Sequence, residues 1–270
     1  MHTSKTMEEI VKEAEGLVRR GVKEIMLIAQ ELTYYGLDIY KKRMLPDLLH
    51  RLADVKGLEW IRLHYAYPSK FPMEILDVMR QRDNICNYLD MPLQHAANNM
   101  LKAMKRQITR EEMEDLVAAI RDKVPGICLR TTLITGFPGE TTGDVEELEL
   151  FLQKMRFDRV GIFTYSHEEG TSAYGLTDDV PQEEKERRAQ EIMEVQQEIS
   201  YGLNQEKTGR TFKTLIDKKE AGRYLGRTEF DSVEVDNEVV IHSSKKLNIG
   251  DFYNVRITKA YDYDLEGEIV

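Results

Sequence analysis

Thr131-Thr132-Leu133-Ile134-Thr135-Gly136-Phe137-Pro138-Gly139-Glu140-Thr141 is the stretch whose reading decides the fold. Residues 127–134 form a short β-branched apolar run, which predicts a buried strand. Gly136-Phe137-Pro138-Gly139 breaks that run into a turn. Thr141 followed by Asp144 can then cap a helix, whose apolar face is Val145, Leu148, Phe151, Leu152 and Met155. Strand, glycine-rich turn and capped helix make half of a βαβ unit. Glycine lets backbone approach a ligand closely, and a helix start receives negative charge, so the turn is a candidate binding element. A tight βα turn with nothing bound satisfies the same residues.

The pattern repeats in both directions. Thr6 and Glu9 cap a helix carrying Ile10, Val11, Ala14, Leu17 and Val18, and Gly21 ends it. Residues 23–29 read as a strand, Leu45, Leu48, Leu49 and Leu52 as a helix, and 59–65 as a second strand. A helix from Pro72 through Met79, a strand near 86–93, a short helix at 98–106 and a helix capped by Thr109 and Glu112 follow. A fifth strand covers 159–165. Alternation at a period of roughly 35 residues predicts α/β architecture with parallel strands, a (β/α) barrel or partial barrel. Polar, aromatic and glycine residues follow each strand, and the ends of barrel strands are where such folds build sites. Because the chain opens on a helix, it reads as starting in mid-domain: a barrel lacking its first strand over residues 1–205.

After Pro181 the character changes. A long charged helix carries Ala189, Ile192, Val195, Ile199 and Leu203 at helical spacing. Four short β runs follow, at 212–216, 223–230, 239–241 and 252–260, with turns at Gly222, Asp236-Asn237 and Gly250. This predicts a small all-β, OB-like domain over residues 206–270.

Composition narrows the function classes. With 41% hydrophobic and 32% charged residues the chain reads as globular rather than disordered, and no apolar run is long enough to span a bilayer, so a cytoplasmic protein with no membrane partner is expected. A net charge of −10 repels a phosphate backbone, so no strong nucleic-acid binding is expected. Cys86 and Cys128 lie too far apart for a zinc or iron–sulfur pattern and read as buried thiols, so no metal ligand is assigned. Gln94 and His95 at a strand end could hold a carboxylate or ribose, or serve as supporting groups. Arg130, inside a strand, needs either a bound carboxylate or a structural ion pair. His64 and His167 are single histidines at strand ends. No residue is assigned a catalytic acid–base role, because no paired acid and base is evident. The basic run Lys102–Arg106 sits at a helix C-terminus, where cations are favoured anyway. Met100 and Met104 read as core.

Several stretches taken together resemble the radical S-adenosylmethionine methylthiotransferases. They are Ala29-Gln30-Glu31-Leu32-Thr33-Tyr34-Tyr35-Gly36, His64-Tyr65-Ala66-Tyr67-Pro68, Met91-Pro92-Leu93-Gln94-His95 through Met104-Lys105-Arg106, and the Thr131–Thr141 turn. Gly226-Arg227-Thr228-Glu229-Phe230-Asp231-Ser232 with Glu234-Val235-Asp236 resembles the TRAM domain of the branch that modifies an aspartate β-carbon in ribosomal protein S twelve of the small subunit. The resemblance implies a radical-SAM barrel followed by a TRAM module. It also implies a 4Fe-4S cluster that cleaves S-adenosylmethionine reductively, with sulfur coming from a second cluster in an N-terminal domain. By position, Gln30, Gln94, Arg130 and Gly136 would line the S-adenosylmethionine side.

One departure stands out. The family's Cys-x-x-x-Cys-x-x-Cys, which would lie upstream of the helix beginning after Thr6, is not in this sequence. Three thiolates are needed to hold the cluster, so the chain alone is expected to be inactive. Two rivals remain: the transfer-RNA methylthiotransferase branch and a non-catalytic ribosome-binding module. Residues 206–270 carry 11 basic and 13 acidic side chains, which favours a basic protein over RNA as target.

Overall fold

The computed structural model describes residues 3–270, so the expected start of the first domain at residue 1 lies outside the described residues. Helix α1 (Met7–Arg19) precedes strand β1 (Glu24–Leu27), a 3-10 turn (Leu32–Tyr34), α2 (Leu45–Ala53) and β2 (Trp60–Leu63). Then come α3 (Glu74–Gln81), β3 (Ile85–Asp90), α4 (Asn98–Ala103), α5 (Arg110–Lys123), β4 (Cys128–Thr135), α6 (Thr142–Met155) and β5 (Arg159–Thr164). The five strands are parallel and lie in sequence order, a partial (β/α) barrel. Thr6–Glu9, Thr109–Glu112 and Thr141–Asp144 all form the expected reciprocal caps, so three of the helices start where their sequence dictates.

Strand periodicity sorts the two faces of the sheet. In β4, Leu129 and Leu133 point outward into a core shared with Leu49, Ile61, Ile120 and Phe151. Each such buried side chain stabilises the fold by roughly 1.5–3 kcal/mol. Cys128, Arg130 and Thr132 point to the inner face. Among the described residues β1 pairs only with β2, and a cavity of about 420 Å³ lined by Ala14, Leu17, Ile25, Leu27 and Leu48 lies beside it. No helix of the described residues is long and apolar enough to cross a membrane.

Helix α7 (Gln182–Gln205) leads to the second unit, a closed barrel of order β10-β8-β7-β6-β9. Its strands are β6 (Thr211–Glu220), β7 (Arg223–Thr228), β8 (Val239–His242), β9 (Phe252–Ala260) and β10 (Leu265–Ile269). Four were expected from sequence; β10 was not, and it is the strand that closes the ring, pairing with both β8 and β9. Gly226 in β7 is required by space, since a Cβ there would sit 2.4 Å from the backbone oxygen of Leu215.

The barrel is fastened to the sheet by the β7–β8 loop, which seats against the inner face. Arg227 pairs with Glu24 at 2.8 Å, and Arg159 with Asp231 at 2.6 Å. Arg62 donates to the Glu229 carbonyl at 2.6 Å, and Tyr88 donates to Asp236 at 2.7 Å. Trp60, Cys86, Tyr88 and Cys128 pack against Leu215, Phe230 and Phe252 beside these pairs. The run from Arg227 to Asp236 thus forms the floor of the partial barrel.

Candidate functional site

The carboxyl ends of the strands enclose a cavity of about 200 Å³ lined by Gln30, Glu31, Tyr65, Tyr67, Gln94 and Thr132, with Pro92 and Arg106 completing the wall. Four consecutive strands contribute to it, as the topology of a barrel site requires. Two wall residues have left-handed backbone without being glycine: Tyr65 at φ 58° and Gln94 at φ 76°. Such conformations cost of order 1–3 kcal/mol and persist where neighbours hold them. The Tyr65 N–H donates to Asp90 Oδ2 at 3.1 Å, and its carbonyl accepts from the Leu32 N–H. The Gln94 N–H donates to the Thr132 carbonyl at 2.9 Å, and its carbonyl accepts from the Ile134 N–H. The adjoining backbone therefore fixes both side chains at the mouth of the sheet.

Glu31 and Arg106 brace the opposite wall. Glu31 Oε1 accepts from the Thr33 N–H and hydroxyl and from the Tyr67 N–H. The Arg106 guanidinium lies 4.3 Å from the Tyr67 ring centre and donates to the Pro92 carbonyl at 2.6 Å. Burial pushes the Arg106 pKa down. Among the described residues Gln94 Oε1 and Arg106 Nε are buried without a partner, an acceptor and a donor on two residues that line one cavity. Unmatched buried polar atoms are costly, so the cavity is suited to a polar ligand offering both. Sequence reading took Arg106 as part of an unremarkable basic helix end; its stacking on Tyr67 gave no local signal.

Gln30 and Gln94 are thus brought together. Arg130 lies beneath them, held by Asp90 at 2.9 Å and by Asp236 at 3.3 Å, and bonded to Thr132 Oγ1 at 3.3 Å. Of the two ways to satisfy that arginine, the structure shows the ion pair. Burial pushes the Asp90 carboxyl up, and His64 and Arg130 more than offset it, leaving it below the usual range. Gly136 is apart from this cavity. Its N–H donates to Glu140 Oε1 at 2.8 Å, and a Cβ there would lie 2.1 Å from Lys185 Cγ, so α7 roofs the turn.

The histidines divide by surroundings. His95, fully buried, accepts the Ala97 N–H at Nδ1 and turns Nε2 toward Glu140 at 3.3 Å. His64 is buried between Asp90 and Ser232 of the β7–β8 loop. His167 stacks on Tyr174 and bonds the Tyr165 hydroxyl. None of the three is an assembled acid–base pair at the cavity. Met100 packs with Phe137 and Tyr165 in a small apolar cluster, as its spacing implies.

Both cysteines face the floor, not the site. Burial pushes the Cys86 thiol up to about 12 and raises Cys128 well above its ordinary value, so both are held as thiols. No group of three or more His, Cys, Asp or Glu side chains able to hold a metal occurs among the described residues. Two protonated thiols do not fit a four-iron cluster, which takes three thiolates from the chain.

The fold and its parts have known counterparts. Residues 208–270 match the TRAM domain, and residues 2–152 match the Radical SAM superfamily. The ribosomal protein uS12 methylthiotransferase RimO of Cytophaga hutchinsonii is 58% identical over the whole of this chain, which covers 62% of that protein. RimO of Bacteroides thetaiotaomicron is 54% identical, again over 100% of this chain and 62% of the relative. The chain therefore spans about three-fifths of the length of the curated relatives it matches. Among solved structures, coproporphyrinogen III oxidase (HemN) of Escherichia coli, a radical SAM enzyme, superposes with TM-score 0.54 at 17% identity. That match covers 83% of this chain and 60% of HemN, and shows the fold alone. With more than half of its length inside the family match, the chain belongs to the radical SAM superfamily and ends in a TRAM domain.

Proposed function

We propose that this chain is the S-adenosylmethionine-binding and substrate-engaging part of a methylthiotransferase that acts on an aspartate of ribosomal protein uS12. The observation that carries the reading is the strand-end cavity in which Gln30 and Gln94 meet, with Gln94 Oε1 and Arg106 Nε uncommitted. Similarity to proteins named uS12 methylthiotransferases supports the target, and so does the acidic balance of the chain, which suits a basic ribosomal protein. In this reading Gln30 and Gln94 face S-adenosylmethionine, Arg130 supports them from below through Thr132, and Gly136 shapes the neighbouring turn. S-adenosylmethionine, when reduced at a cluster, supplies a radical that abstracts hydrogen. The residues present bind and orient it but do not hold that cluster.

Equilibrium dialysis with labelled S-adenosylmethionine tests the cavity. Gln94→Ala is expected to weaken binding roughly tenfold, the loss of about 1.4 kcal/mol. Equal affinity in the variant, or no binding to the native chain, would reject the assignment. By itself the chain is proposed to be inactive. Anaerobic reconstitution with iron and sulfide checks this, and one four-iron cluster per chain with S-adenosylmethionine cleavage would overturn it.

A further inference from the structure

A second cavity, of about 360 Å³, lies between the first half of β5, α7 and the β7–β8 loop. One face of α7 supplies Met193, Gln196 and Ser200, spaced three and four residues apart. Gln196 is 2% exposed and Ser200 1%. The Gln196 amide nitrogen donates to the Phe157 carbonyl at 3.0 Å, but among the described residues its Oε1 has no partner, and neither has Ser200 Oγ. Two buried polar atoms without partners, on residues that line one cavity, are an expensive arrangement unless something arrives to complete them. Beside them β5, whose first half lines the cavity, pairs only with β4 among the described residues and so has one unpaired strand edge.

Charge decides what fits. Arg130 and Arg159 border the cavity, but Asp90, Asp236 and Asp231 already neutralise them. The α7 helix carries six acidic and three basic side chains, and the chain as a whole has net charge −10. A phosphate backbone is repelled there, whereas a basic polypeptide is attracted. We propose that this cavity is a docking groove for an extended, basic segment of the protein substrate. The segment runs along the edge of β5 and donates backbone N–H groups to Gln196 Oε1 and Ser200 Oγ, as a strand added to a sheet edge would. The inference rests on the protein-substrate reading above and adds a second contact point, separate from the S-adenosylmethionine cavity and reaching the TRAM domain through Val235 and Asp236.

The test uses the whole chain, fluorescence anisotropy with labelled ribosomal protein uS12, and the variants Ser200→Ala and Gln196→Met. Ser200→Ala is expected to keep or raise stability, whereas Gln196→Met gives up the bond to the Phe157 carbonyl and should cost about 1 kcal/mol; together they should weaken uS12 binding roughly tenfold. Affinity for S-adenosylmethionine should not change. A photoreactive p-benzoylphenylalanine in place of Met193 should crosslink to uS12. If the native chain binds uS12 and the variants bind it equally, the groove is overturned while the substrate reading stands. If Ser200→Ala loses stability, its hydroxyl has a structural partner and the groove is again overturned. If the native chain binds transfer RNA in preference to uS12, or binds neither, both readings fall.

Discussion

Asp231→Ala is expected to destabilise the protein by about 3–5 kcal/mol, the cost of stranding one member of a buried ion pair. Native domains are stable by only roughly 5–15 kcal/mol, so this is a large fraction of the whole. Asp231 and Arg159 are 2% and 5% exposed, and the pair is closed by two bonds, at 2.6 and 3.2 Å. Thr228 Oγ1 donates to the other carboxylate oxygen at 2.7 Å. Alanine would leave the Arg159 guanidinium buried on the inner face of the sheet with no anion. Guanidinium denaturation followed by tryptophan fluorescence reads this interface directly. The only tryptophan, Trp60, lies against Phe252 of the TRAM barrel with ring centres 4.7 Å apart. A single transition by fluorescence and circular dichroism is expected for the native chain. Separate transitions for the two units, or a loss below 1 kcal/mol in the variant, would show that the pair does not bind the units into one cooperative structure.

Acid should attack the same interface. Burial pushes the Asp231 carboxyl up, but the Arg159 and Lys207 charges outweigh it and hold it below its ordinary value. Glu24, Asp90 and Glu140 are also held low, each against the opposing effect of burial. A carboxyl with a depressed folded pKa contributes stability that is complete above its unfolded value, near pH 4. That contribution is lost as pH falls through the folded value. Native stability is therefore expected to fall steadily below about pH 4, with a shallower slope in Asp231→Asn, where one of these carboxyls is gone.

What sequence reveals here follows from the range of the interactions involved. The β4–turn–α6 unit was legible because everything that builds it is local: alternation in 128–135, glycines in the turn, and a capping pair three residues apart. Gln30 and Gln94 could be placed at one site because parallel strands put their ends together whatever their side chains do. Arg130 could not be resolved, since its partner Asp236 is 106 residues away on another domain. Gln196 and Ser200 are not among the apolar positions of α7, so nothing local marks them as buried, yet both are. Strand β10 was missed because Glu266 and Glu268 interrupt its apolar positions. They sit on the outer side of an alternation whose inner members are Leu265 and Gly267. Gly267 is there for space: a Cβ would meet Val255 Cγ1 at 2.5 Å.

Glu140→Ala is expected to destabilise the protein as well, by less than the loss of Asp231 but by a route that reaches the candidate site. One carboxylate oxygen accepts from the Gly136 N–H at 2.8 Å and from Arg188 at 2.9 Å; the other faces His95 Nε2 at 3.3 Å. Because His95 Nδ1 accepts the Ala97 N–H, the ring proton is on Nε2, which lies 3.3 Å from Glu140 Oε2 without closing a hydrogen bond. Alanine would take one carboxylate from Arg188, which keeps Glu184 at 2.7 Å and the Glu140 carbonyl at 2.9 Å, and would leave the Gly136 N–H and a fully buried imidazole unmatched, costing about 2–3 kcal/mol. Glu140→Gln keeps the shape and can still accept from Gly136 and Arg188, but it then opposes its own amide N–H to that of His95. It should cost less than alanine without being neutral. Denaturation measures the stability change, and the His95 ring resonances report whether the imidazole has lost its orientation. Gln94 precedes His95 in the chain and holds a left-handed backbone at the cavity mouth. A freed His95 lets that residue relax, so Glu140→Ala should also weaken S-adenosylmethionine binding in the fraction that stays folded. If affinity is unchanged while stability falls, Glu140 supports the turn alone, and the positive φ of Gln94 is fixed by its backbone bonds to Thr132 and Ile134 without help from the imidazole.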